Sequence, residues 1–440
     1  MTDTAYAPWT RGSAADPATA AFETVNWLRK VAVPTEAGRY WPADPADPAA
    51  RPPFVAHSPH GLYGGTAGIV LFLLRLADAV PDKSIMDDAI AGADEIAASW
   101  RMESAARSTG EGTDLRFSMY EGLPGEMFAL LEMWRVTGEE RYAHAAREAA
   151  VFLTQHAGPG WTGQAGVARG DSGVLLSLLH AAEVLDDPAP VETAVVAGKR
   201  LVEIAEPVGE GGLRWPAAPE MYLPNFEFGT AGVGFALARL HAVTGDPEFG
   251  EAAVAAARHL ADIAVGTGQG ALLFHHEPGG TDLFYLGHCH GPAGTAKLFH
   301  QLHLTTGADE WLDWVRRFAD GVLGADPLTR QSPGYWNVVS QCCGTAGIGE
   351  FLLRAWALTG ESEYLQYARE LGGQLIARST PAEDGGRCWY DAANRHEPWA
   401  VAAYTGYMCG AAGVAGFLTS LHLADAGRFV PPPSPTLPRA

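Results

Sequence analysis

Seven stretches of the chain are apolar at almost every position, and each opens on the same signature, Gly-x-x-Gly. They are GGTAGIVLFLLRL, EGLPGEMFALLEM, RGDSGVLLSLLHA, FGTAGVGFALARL, HGPAGTAKLFHQL, CGTAGIGEFLLRA and CGAAGVAGFLTSL, with first glycines at 65, 122, 170, 229, 291, 344 and 410. Between them lie stretches of another kind, such as YAHAAREAAVFL and YLQYARELGGQL, apolar only near positions i, i+3, i+4 and i+7. The first kind predicts a helix covered on most sides, and the second an amphipathic helix with one wet face. The steps between first glycines, 57, 48, 59, 62, 53 and 66 residues, mark a repeat of such helix pairs.

A second marker supports the repeat. In four units a Thr-Gly pair follows, its glycine 13 residues after the second glycine of the signature (Gly138, Gly245, Gly307, Gly360), with an aromatic four residues later (Tyr142, Phe249, Trp311, Tyr364). Thr-Gly predicts a helix C-terminus, because Gly accepts the left-handed conformation needed there. In the other units the offset falls on Pro81, Asp186 and Ala426, the last one residue short of Gly427. The segment AAFETVNWLRKVAV (20–33) supplies an outer helix before the first inner one, and the last inner helix ends near Leu423. An open solenoid needs polar caps at both ends, and neither end supplies an obvious one. The expected fold is therefore all-α, an α/α toroid of seven inner and seven outer helices closed by the N-terminal helix. One domain over residues 1–430 and a disordered or polyproline-like tail over 431–440 are expected. The signature glycines are expected where backbones converge and turn into the inner helices. Taken singly, each reads most simply as a packing device.

Composition narrows the function. Hydrophobic residues at 47% and charged residues at 18% give a sizeable core and exclude bulk disorder. Gly accounts for 52 of 440 residues without a collagen-like period, so the excess belongs to the repeat. A net charge of −21 argues against nucleic acid and anionic membrane as partners. No membrane span is expected, and Met1–Thr10 lacks the basic and apolar regions of a secretory signal. Five cysteines, the first at position 289, make a poor disulfide framework and a better reduced metal site, which points to the cytoplasm.

If the inner helices line one mouth, the residues just before each first glycine share it. One position before stand Gly64, Glu121, Arg169, Phe228, His290, Cys343 and Cys409; two before stand Tyr63, Tyr120, Ala168, Glu227, Cys289, Cys342 and Met408. Four of the five cysteines fall in this set. Cys289, Cys342 and Cys343 belong to neighbouring units, where helix dipoles favour thiolate, and three such ligands suit Zn²⁺ with a fourth position open. Three small buried cysteines are the plainer alternative. His290 adjoins Cys289 and reads as an acid/base group, since an unperturbed histidine titrates near pH ~6.5.

These motifs, "GHCHGPAG" at 287–294 and "QCCGTAGIGEFLL" at 341–353, resemble the lanthionine synthetase C-like cyclases, through all seven units in order. The resemblance implies zinc ligands at Cys289, Cys342 and Cys343, with Cys343 where the family usually has His. Three thiolates make such a site more negative than two with an imidazole, and a bound substrate thiolate more nucleophilic. It implies addition of a peptide Cys thiolate to dehydroalanine or dehydrobutyrine, a dehydrated precursor peptide as substrate, and a separate dehydratase as partner. The chain departs from the family at Phe228 (usually His), Gly166 (usually Asp) and Tyr285 (usually Arg). The candidates to replace that acid/base set are His290, Glu121, Glu227, Tyr120, Tyr285 and Arg169. Each has a plainer reading: Glu121 with Arg169 as a structural ion pair, Glu227 facing solvent, the tyrosines as packing. The alternatives are a zinc-binding scaffold without catalysis and an α/α-toroid glycosidase using Glu121 and Glu227 as its carboxylate pair. The aromatic segment 387–408 reads either as a peptide-binding lid or as a long turn with buried tryptophans.

Overall fold

The seven apolar runs form the inner helices α2 (Thr66–Ala79), α4 (Leu123–Thr137), α6 (Asp171–Leu185), α8 (Thr230–Thr244), α10 (Pro292–Thr306), α12 (Thr345–Thr359) and α14 (Ala411–Asp425). The amphipathic stretches form the outer helices α1 (Pro17–Val31), α3 (Lys83–Ala106), α5 (Glu140–Gln155), α7 (Ala189–Glu203), α9 (Pro247–Ile263), α11 (Asp309–Ala325) and α13 (Ser362–Ala377). The computed structural model describes residues 16–48, 58–106, 114–158, 160–277, 284–330, 338–392, 396–434 and 436–438. Each inner helix packs on the next, α14 packs back on α2, and α1 packs on α14, so the ring is closed as the repeat predicts. The fold is an α/α toroid. Among the described residues, the strands form only two-stranded hairpins, and no helix is long and apolar enough to cross a membrane.

The Thr-Gly pairs end their helices as expected, with Gly138, Gly245, Gly307 and Gly360 left-handed at φ of 70, 70, 69 and 77°. Asp186 takes the same left-handed cap at φ 52°, and Gly427 does so one residue late at φ 68°. The following aromatics Tyr142, Phe249, Trp311 and Tyr364 are all buried under the ends of these helices. A recurring device absent from the sequence reading ties the connections down. Trp41, Trp161, Trp215 and Trp389 are buried, and each indole N–H donates to a carbonyl of the preceding outer helix, of Leu28, Leu153, Leu201 and Leu375 at 2.7–2.9 Å. A buried indole needs such an acceptor, and the carbonyls near a helix C-terminus are the ones left over.

The signature glycines are explained by space more than by conformation. Six of the seven first glycines have φ between −112 and −129°, ordinary extended backbone; only Gly410, at φ 137°, needs glycine for its dihedral. At the second glycine of every unit, a Cβ would stand 1.8–2.3 Å from the carbonyl oxygen of the residue three before the first glycine. The loop that enters each inner helix thus lies directly on its first turn.

That loop carries a closed circle of backbone hydrogen bonds. Met408 N–H donates to Tyr63 C=O, Tyr63 to Tyr120, Met119 to Ala168, Ala168 to Glu227, Glu227 to Cys289, Cys289 to Cys342, and Cys342 to Met408, at 2.8–3.2 Å. Every residue two before a first glycine takes part, so all seven helix entrances are bonded into one annulus.

The C-terminal segment differs from the expected disordered tail. Val430 C=O accepts from Arg75 Nη2 at 2.5 Å, and Thr436, 2% exposed, accepts from Lys297 Nζ at 2.7 Å inside the ring of inner helices. Lys297 is buried and lies 4.7 Å from the centroid of the Phe226 ring. The core therefore contains a Lys that the local pattern cannot satisfy, and the tail supplies its acceptor. Thr436→Val is expected to lower unfolding stability by about 1–3 kcal/mol, the cost of orphaning a buried donor. The shift in denaturant midpoint measures it.

Candidate metal centre and its cavity

The annulus gathers the residues that the repeat indexed. Apart from Gly64 and Met408, every residue one or two positions before a first glycine lines a single cavity of about 510 Å³. Cys289, Cys342, Cys343, Glu121, Glu227, Arg169, His290 and Tyr285 are all in its wall. The five cysteines carry free thiols.

Cys289, Cys342 and Cys343 bring their sulfurs together. Cys289 Sγ lies 3.1 Å from Cys343 Sγ, and Cys343 Sγ lies 3.4 Å from Cys342 Sγ. Among the described residues this is the one group of three metal-ligating side chains whose donor atoms lie within 4.8 Å of one another. The placement is set by the backbone, since Cys289 N–H donates to Cys342 C=O and so fixes one unit's thiol against the next. Hydrogen bonds from the neighbouring thiols hold Cys343 well below the ordinary thiol range. Cys289 is pushed well up by its bonds to Cys342 and Cys343 and by burial. The three thiols share their protons as one group that favours one thiolate, a donor set that a soft or borderline cation can bind. Cys409 lines the same cavity outside this cluster, and Cys388 lies outside the cavity.

Glu121 and Arg169 form the ion pair expected of them, with two bonds of 3.0 and 3.1 Å. Glu227 does not face solvent. It is 2% exposed, and its Oε1 accepts from Tyr120 OH at 2.7 Å and lies 2.7 Å from His288 Nε2. Its Oε2 is buried without a hydrogen-bond partner. Burial and the Glu227 charge keep Tyr120 protonated far above the usual phenol range. Burial and the nearby Lys297 lower His288.

His290 lies in the cavity wall. Burial, reinforced by His275, takes its pKa down to about 3, so at neutral pH it is an uncharged imidazole and a weak acid. It stacks on His275 at 4.7 Å and packs on Tyr285 and Phe228 at 5.1 and 5.6 Å between ring centroids. Tyr285 and Phe228 therefore form an aromatic wall. The missing acid at Gly166 has a steric reason: a Cβ there would stand 2.8 Å from Glu227 O and from Phe228 Cα.

Three residues escaped the sequence reading: His275 and Asp391 line the cavity, and His288 lies behind its wall against Glu227. His288 sits three before its first glycine, so extending the index by one position would have reached it. His275 and Asp391 lie in irregular connections with no repeat to mark them. Asp391 is 2% exposed, and its Oδ1 accepts from Val339 N–H at 3.0 Å. In the segment 387–408, Trp389 is buried and hydrogen-bonded, Trp399 is exposed, and Asp391, Ala392 and His396 line the cavity.

The sequence profile described as "Lanthionine synthetase C-like protein" matches residues 113–261 and 228–355, together more than half of the chain. No curated protein matches the sequence. The structure is similar to nisin cyclase, with TM-score 0.57 and 15% identity over 83% of this chain and 89% of that one. It is also similar to the Lin0763 protein from Listeria innocua, with TM-score 0.50 and 11% identity over 94% and 98%. A looser likeness is to the GH76A alpha-1,6-mannanase from Salegentibacter sp. HEL1_6, with TM-score 0.47 and 15% identity over 76% and 99%. At these identities the first two likenesses bear on the fold alone.

Proposed function

The chain belongs to the lanthionine synthetase C-like family, and on that premise we propose that it is a zinc-dependent cyclase of dehydrated peptides. It adds peptide Cys thiols to dehydroalanine or dehydrobutyrine and closes lanthionine or methyllanthionine rings. The observation that carries this reading is the three-thiol cluster in the wall of a peptide-sized cavity. The donor set fits: thiolates around zinc at about 2.3 Å stand roughly 3.8 Å apart, close to the separations of 3.1 and 3.4 Å seen here. Zinc held by Cys289, Cys342 and Cys343 supplies a Lewis acid that lowers the pKa of the peptide thiol.

The chain's own residues do the rest. The aromatic wall of Phe228, His275, Tyr285 and His290 packs the peptide. The Glu121–Arg169 pair keeps one side of the mouth neutral and in place. Glu121 is held by Arg169, and Glu227 Oε1 by Tyr120 and His288, so both carboxyls have a place in the wall. The reaction needs reduced thiols and a dehydrated precursor. The proposal therefore includes a cytoplasmic setting and a separate dehydratase.

The test is incubation of the zinc-loaded protein with a dehydrated, Cys-containing peptide. Loss of alkylatable thiol without change in mass is the expected result. Full zinc occupancy with every thiol still alkylatable would favour the non-catalytic scaffold.

A further inference from the structure

We propose that Asp391 is the acid that protonates the α-carbon as each ring closes, and that it thereby sets the configuration of that carbon; this rests on the cyclase reading above. Three carboxyls line the cavity: Glu121, Glu227 and Asp391. Glu121 is bound by two hydrogen bonds to the Arg169 guanidinium. Glu227 Oε1 already receives Tyr120 and lies against His288. Asp391 is different, because its hydrogen-bond donors are the uncharged Val339 N–H and the Ser340 side chain.

The charged and titratable groups around it are Arg378, Tyr404 and the thiols of Cys342, Cys343 and Cys409. Burial lifts its carboxyl to about 7, so a substantial protonated fraction is present at neutral pH. Position matters as much as protonation. Val339, to which Asp391 is bonded, is in the same short segment as Cys342 and Cys343, so the acid and two of the thiols are held by one loop. The arm carrying Asp391 is itself pinned, by the Trp389 indole on Leu375 C=O at 2.7 Å and by pairing of Asp391–Ala392 with Val401–Ala402.

The step balances. The sulfur electron pair forms the S–Cβ bond, and the Cα=Cβ pair moves onto the α-carbon and its carbonyl as an enolate. The Asp391 O–H bond then breaks to give the α-proton. The proton released by the peptide thiol restores the Asp391 carboxyl, so nothing is oxidised or reduced. A carboxyl held this firmly delivers from one face, and one face means one epimer.

Asp391→Asn keeps an oxygen to receive Val339 N–H and removes the transferable proton. In zinc-loaded protein it is expected to slow ring closure by about 100-fold or more while zinc content is unchanged. The residual product is expected to be a mixture of α-epimers, resolved by chiral separation after hydrolysis. A positioning role through the loop would lower zinc content instead. Wild-type rate with a single epimer overturns the proposal. Should this variant fail to fold, Asp391→Glu, which moves the carboxyl by one methylene, is expected to lose epimer purity, and unchanged purity overturns it. A wild-type protein that closes no ring on any dehydrated peptide overturns both this assignment and the cyclase reading; an active wild type with an unaltered Asp391→Asn variant overturns only this one.

Discussion

Cys342→Ala is expected to strip the protein of its zinc and of all ring-forming activity while leaving the fold intact. The two halves of that expectation come from different atoms of one residue. The backbone of Cys342 is part of the annulus, donating to Met408 C=O and accepting from Cys289 N–H, and alanine keeps both bonds. The side chain is 6% exposed and small, so its loss leaves a void of only one sulfur. What disappears is one of three thiolates, and two sulfurs cannot hold zinc as three do. Weakening a group that merely orients a ligand costs 10- to 100-fold in affinity, so removing a ligand is expected to cost more than about 100-fold. Elemental analysis of the purified protein should fall from about one zinc per chain to a trace. Cys388→Ala, outside the cavity, and Cys409→Ala, inside it but outside the cluster, should both keep the metal. Equal zinc in Cys342→Ala and the wild type would remove the three-thiol site, and with it the chemistry assigned to the cavity.

The contrast between Cys342 and Asp391 shows what the sequence could and could not disclose. Closure of the ring is written in a periodic pattern, because each unit solves the same packing problem and repeats the same residues to do so. Once the units are aligned, position within the unit becomes position around a mouth, and the cysteines fall together without any pairwise contact being guessed. Pairing across units is not periodic. Tyr120, Glu227 and His288 come from three units and meet only because the annulus sets their heights, so the sequence indexes Glu227 to the mouth without disclosing its partners. Asp391 and His275 belong to connections whose lengths and conformations differ from unit to unit. The tail is opaque for a similar reason. A proline-rich stretch predicts disorder until a buried Lys297, about 140 residues away, is seen to need the hydroxyl of Thr436.

Gly232→Ala should prevent the toroid from reaching its native packing, although it adds a single methyl group in the first turn of a helix. Local propensity predicts the opposite, since alanine is the better helix former by about 1 kcal/mol. The deciding fact is across the loop: a Cβ on Gly232 would stand 1.8 Å from Phe226 O, with Val167 Cγ2 at 2.8 Å. Neither neighbour can yield. Phe226 is fully buried, and Glu227, the next residue, is tied into the annulus on both sides through Ala168 and Cys289. Relief would require the loop to lift, which breaks those two bonds and displaces Cys289 from the three-thiol cluster. Overpacking in a rigid core ordinarily costs about 1–3 kcal/mol. With the broken annulus bonds added at roughly 1 kcal/mol each, the loss here should reach or exceed the upper end of that range. Gly138→Ala provides the control. Gly138 is left-handed at φ 70° with nothing within 4 Å of the added Cβ, so only the dihedral penalty of about 1–2 kcal/mol applies. Thermal melting should therefore separate two glycine-to-alanine changes of identical chemistry, with Gly232→Ala far the more destabilised and depleted in zinc. Equal melting temperatures would mean that the signature glycines serve helix entry alone, and that the annulus does not hold the metal site in place.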